Sequence, residues 1–307
     1  GDTPDVAVLT GHANKLQQAV EAATKELDAY SRYLGRSPGA TASLEGLLQL
    51  PASLWPESAK NILQSLKTRM GQGMIAVSFQ ELLSMLDAKS TPTKDKVLGL
   101  ARALESMNIA MEPDVLGGAK APRPEDKVVL FAVPPGEPLI RNSPAYQAAL
   151  LTLQLSSAVA MADGDFSAQE MSHLRTQVQS WTHLTPSHHR RLLAHLRLLV
   201  AAPVSLASLK KKLEPLDASA KEAIAAFMPT VAQSDGTVSP AEVKMLEKVY
   251  RALGVDPKKV FSDVHAAASG TAPAILAGKA ADTRFKLDPA RIAALLDPGV
   301  QILDVTG

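Results

Sequence analysis

Five carboxylates in the second half of the chain stand where they could hold a hard divalent cation. They are Asp163, Asp165 and Glu170 in one turn, and Asp235 and Glu242 in a second turn of the same pattern. Ca²⁺, Mg²⁺ and Mn²⁺ prefer carboxylate oxygens, and Zn²⁺ prefers nitrogen and sulfur. Aligned on Asp163 and Asp235, the two segments share glycine at +1, an apolar residue at +3 (Phe166, Val238), serine at +4 (Ser167, Ser239) and glutamate at +7 (Glu170, Glu242). Apolar residues follow at +8, +11, +15 and +18, and others precede at −8 (Leu155, Phe227) and −4 (Val159, Val231). Those intervals put one apolar stripe on each flanking helix. Each unit therefore reads as helix, acidic turn, helix.

Helix punctuation explains much of the pattern. Ser167 to Glu170 and Ser239 to Glu242 are S-x-x-E capping boxes, and the glycines suit the left-handed end of the preceding helix. The aspartates are not explained this way, because a carboxylate at a helix C-terminus opposes the macrodipole by roughly 0.3–1 kcal/mol. Two readings stand: each Asp points at the N-terminus of the following helix, or the turns join in a cation site through a pseudo-twofold axis.

Other constellations are weaker. Glu170 and His173 form E-x-x-H on one helix face, a pair used in di-metal carboxylate bundles, but Met245 replaces the histidine in the second copy. The run His188-His189-Arg190-Arg191, with His195, Arg197 and Lys210-Lys211-Lys212, is basic and could dock an acidic partner through Arg190, Arg191, Lys210, Lys211 and Lys212. No aromatics interleave to stack bases, so there is no clear nucleic-acid signal, and a solvated helix face is the ordinary reading. Asp163, Asp165 and Ser167 have the spacing of the first EF-hand ligands, yet the twelfth position is Leu174 and the sixth is not glycine. Gly71-Gln-Gly73 lacks the preceding strand of a dinucleotide fold.

The elements that position these residues are expected to be helices. Apolar residues make up 46% of the 307 and aromatics only 4%, a balance that favours helix over sheet. A net charge of +1 implies no global pull toward nucleic acid or membrane. The chain contains no cysteine, which excludes disulfides and thiolate metal sites. No apolar run reaches the length of a membrane span, and no secretory leader is evident, so a cytoplasmic location is expected.

Leu9, Leu16, Val20, Ala23 and Leu27 mark a long amphipathic helix over 5–34. Shorter helices are expected at 43–50, 57–69, 79–88 and 94–107, with Ser78 and Thr93 as N-caps. Residues 108–142 read as a semi-ordered boundary with one extended segment, Val128–Val133. A nearly all-apolar helix begins at Ser143-Pro144. Others follow at about 168–182, 186–201, 205–214, 218–234, 240–253 and 256–268. Residues 269–283 read as a linker, with a short helix at 288–296. The expected domains are thus 1–142, 143–268 and a tail of 269–307.

The stretches Ala160-Met-Ala-Asp-Gly-Asp-Phe-Ser-Ala-Gln-Glu170 and Ala232-Gln-Ser-Asp-Gly-Thr-Val-Ser-Pro-Ala-Glu242 resemble the signature turns of the TerB (tellurite-resistance) family, with similarity over 145–268. Leu27–Arg36, Leu48–Pro51, Ile109–Asp114 and Val128–Phe131 resemble the TerB-N region, and Leu287–Ile292 resembles the start of TerB-C. The resemblance implies a mainly α protein with pseudo-twofold repeated helix-turn-helix units. It also implies a role in tellurite resistance, chemical stress response and phage defence, and protein partners that include membrane-associated Ter proteins. By motif match it makes Asp163, Asp165, Glu170, Asp235 and Glu242 the expected ligands, and Thr237 in place of Asp165 weakens the second copy. The expected function is a non-enzymatic metal-binding module. A metal-free protein-interaction scaffold and a metal-dependent hydrolase are the alternatives.

Overall fold

A computed structural model describes residues 6–36, 43–141, 143–181, 184–234 and 236–269. The expected helix at 288–296, most of the expected linker and the TerB-C-like tail lie outside these residues. The chain divides into two compact units, Gly1–Pro135 and Gly136–Gly307, and among the described residues helix predominates in both.

The first unit contains α1 (Val6–Arg36), α2 (Leu44–Leu47), α3 (Glu57–Met70), β1 (Met74–Ser78), α4 (Phe79–Met85), α5 (Lys94–Ser106), β2 (Ile109–Glu112) and β3 (Lys127–Ala132). Ser78 and Thr93 cap α4 and α5 as expected: their hydroxyls accept the backbone N–H groups of Glu81 at 3.1 Å and Lys96 at 3.4 Å. The expectation for 108–142 needs correction. The apolar run is the central strand of a three-stranded antiparallel sheet in the order β1-β3-β2, with Val77 opposite Val128 and Met111 opposite Leu130. All four residues of β2 are buried. Helices α3, α4 and α5 pack on this sheet and share its core, in which Leu63, Phe79, Leu100 and Leu130 are sealed from solvent.

The second unit contains α6 (Pro144–Ala160), α7 (Ala168–Ser180), α8 (Pro186–Ala201), α9 (Leu206–Leu213), α10 (Ala218–Ala232), α11 (Pro240–Ala252) and α12 (Val260–Ser269). Ser143, Thr185, Asp217 and Ser239 are side-chain N-caps, and Pro at the first turn of α6, α8 and α11 needs no N–H partner there. Helix α6 is buried nearly all round, from Tyr146 to Ala160. A helix apolar on every face must be surrounded by others, and α8, α9, α10 and α11 pack against it.

The repeat is interlocked. Helices α6 and α10, which begin the two copies, pack on each other. The second helix of each copy lies on the first helix of the other, α7 on α10 and α11 on α6. Leu155, Val159, Phe227 and Val231, equivalent in the two copies, are all buried in the shared core with Leu174, Val178, Leu246 and Tyr250. Neither copy buries its apolar stripe alone.

Candidate metal-binding turns

The two turns are built alike. At the end of α6 the Ala162 N–H donates to the Val159 carbonyl at 3.1 Å, and the Gly164 N–H to that of Met161 at 3.0 Å. At the end of α10 the Ser234 N–H donates to Val231 at 3.2 Å, and Gly236 to Gln233 at 3.0 Å. Gly164 and Gly236 have φ of +87° and +86°, a conformation that L side chains rarely adopt. The chain then enters the next helix through a closed capping box. Ser167 Oγ accepts the Glu170 N–H at 3.1 Å while Glu170 Oε1 accepts the Ser167 N–H at 3.0 Å. The equivalent bonds between Ser239 and Glu242 are both 3.1 Å.

These bonds sort the candidate ligands. Glu170 and Glu242 are each only 3% exposed and use one carboxylate oxygen to cap their helices. Asp163 and Asp165 are exposed, and Asp163 Oδ1 accepts the Asp165 N–H in a long 3.4 Å bond. Asp235 lies outside the described residues. His173 is half-buried; its Nε2 is sealed from solvent and has no hydrogen-bond partner among the described residues, and burial lowers its pKa below the ordinary value. Among the described residues, no group of three or more His, Asp or Glu side chains is gathered so as to hold a metal ion. The donor chemistry of Asp163 and Asp165 is the all-oxygen kind a hard cation takes, and within the first turn these two supply the exposed carboxylates.

The α8 part of the basic segment is largely turned inward, while Arg197 is exposed. His188, Arg191 and His195 are buried on α8. Arg190 pairs with Glu137 inside the same unit. His188 Nε2 lies 3.0 Å from the Ile140 carbonyl and Nδ1 lies 3.5 Å from the Thr185 N–H. The first contact assigns Nε2 the donor role and the second assigns Nδ1 the acceptor role. The ring also stacks on Tyr146, with centroids 5.1 Å apart. His188 thus closes a capping box with Thr185 in the place usually taken by Glu or Gln. Neighbouring His189 Nε2 donates to the Trp181 carbonyl at 2.7 Å. Lys210, Lys211 and Lys212 are exposed on α9. Sequence reasoning also missed a buried polar tie between helices: Tyr250 donates its hydroxyl to Asp263 Oδ2 at 2.7 Å, joining α11 to α12.

Residues 149–262 match the family model described as tellurite resistance protein TerB. The match runs from the first turns of α6 into α12 and includes both acidic turns. No curated protein and no solved structure matches the chain. Among the described residues, no helix is long and apolar enough to cross a membrane.

Proposed function

We propose that the helical unit carrying the two turns is a non-enzymatic, divalent-cation-binding module of a cytoplasmic tellurite-resistance and stress-response protein, with phage defence as a related role. The observation that carries this reading is the emergence of Asp163 and Asp165, both exposed, just beyond the C-terminal end of the otherwise buried α6. The helix dipole disfavours carboxylates there, and among the described residues the Asp163 side chain accepts one long backbone bond. The cation would be Ca²⁺, Mg²⁺ or Mn²⁺, held by Asp163 and Asp165 with Asp235 from the second copy. Glu170 and Glu242 are buried, each already engaged through one oxygen. A bound cation supplies the positive charge that cancels the repulsion between these acids, and so links the two interlocked copies to cation concentration. Partner docking then follows cation occupancy, with protein partners that include membrane-associated Ter proteins and with Lys210–Lys212 as the exposed basic contribution. The first unit acts as a TerB-N-like companion.

A metal-free scaffold is the second reading, and the two closed capping boxes favour it, because they give Glu170 and Glu242 a folding role. Titration calorimetry with Ca²⁺, Mg²⁺, Mn²⁺ and Zn²⁺, paired with thermal melts, separates the two. Cation binding predicts heat and a raised Tm with at least one hard cation. No heat and no gain in Tm with any of them leaves the scaffold.

A further inference from the structure

The geometry points to α1 as a coiled-coil strand through which two copies of this chain associate. The helix is 31 residues long, about 46 Å at 1.5 Å per residue. Every described side chain between Gly11 and Asp28 is exposed. Three of these are large apolar groups: Leu16 at 68%, Val20 at 56% and Leu27 at 47% exposure. They are not scattered. Ala13, Leu16, Val20, Ala23 and Leu27 recur at alternating intervals of three and four. In the sequence the same spacing reaches back to Leu9 and on to Tyr30 and Leu34. A strict seven-residue repeat held over three to four heptads is the pattern of a helix that supercoils with another helix, and not that of one laid on a globular core.

The choice of a second copy as occupant rests on where the charges lie. With Ala13, Val20 and Leu27 at one seam position and Leu16 and Ala23 at the other, the residues at the flanking positions from 12 to 31 are His12, Gln17, Ala19, Thr24, Glu26 and Ser31. Lys15, Glu21, Lys25, Asp28 and Arg32 all fall on the outward positions. In coiled coils the flanking charges set partner choice by attracting one sequence and repelling another. Here Glu26 is the one carboxylate at a flanking position, and the register of a parallel pair matches it with Ser31 of the other helix, so no like charges are set together between identical helices. A twofold axis then makes the interface self-complementary.

The test is the mass of the full chain by light scattering and sedimentation from low to high micromolar concentration. It is run on wild type, on the Leu16→Lys, Leu27→Lys double variant, and on Gln18→Lys, which changes only the outward face. Because Leu16 and Leu27 are already in solvent, the double variant leaves both cores intact, and an unchanged thermal transition checks this. The expected result is a mass of two chains for wild type and Gln18→Lys, and of one chain for the double variant. A wild-type monomer throughout, as when α1 is covered by another part of its own chain, overturns the proposal. So does a dimer that survives both lysines.

Discussion

Glu170 and Glu242 look like metal ligands by residue type, but both are buried under the turns they cap. Asp163 and Asp165 have little folding use, and they are the residues on which the proposed cation binding rests. Burial decides other roles as well. Because His173 has a folded pKa depressed by burial, the unfolded chain binds more protons in the window below the ordinary value of 6.5. Stability therefore falls as pH drops through 6.5 toward the folded pKa, and recovers as pH rises. Urea unfolding at about pH 7 and about pH 5 should show a smaller loss for His173→Gln than for wild type; parallel losses would contradict this assignment. Tyr250 is a second case. Burial first, and the hydrogen bond to Asp263 second, raise its pKa above the ordinary range. Asp263 is 0% exposed, so Tyr250→Phe takes a donor from a fully buried carboxylate. The expected cost is about 1–3 kcal/mol, read from the shift in the urea midpoint.

At the scale of elements, the helices follow from local rules and the sheet does not. Caps at Ser78, Thr93, Ser143, Thr185, Asp217 and Ser239 are short-range signals, and each starts a helix where it stands. Strands β1 and β2 carry no such signal. They are five and four residues long, and β2 is buried at every position, so no alternation marks it. Their partner β3 is distant in sequence, and only that pairing makes them strands. The basic segment misleads for a related reason. His, Arg and His at 188, 191 and 195 have the spacing of one helix face, but the sequence does not show that the face is turned inward with its groups engaged. Capping strength is testable at this scale. Ser167→Ala and Ser239→Ala should each cost about 1 kcal/mol, measured by thermal or urea unfolding; a cost confined to one of them would break the equivalence of the two turns.

At the scale of the molecule, the repeat is legible in sequence as two matching segments, but its interlocking is not. Periodicity says that each helix has an apolar stripe, and packing decides that α7 covers α10 and α11 covers α6. That exchange makes the two copies one cooperative unit, in which a change at one turn bears on the helices of the other. The most direct test of the cation-binding account is Mn²⁺ titration followed by the electron paramagnetic resonance of the free ion. Wild type is compared with Asp163→Asn, Asp165→Asn and Asp235→Asn, and with Glu45→Gln in the first unit as a control. The account predicts saturable Mn²⁺ uptake by wild type and Glu45→Gln, reduced at least tenfold in affinity by Asp163→Asn and by Asp235→Asn, with Asp165→Asn also weakened. Uptake that is absent from wild type, or is the same in all five proteins, would contradict it.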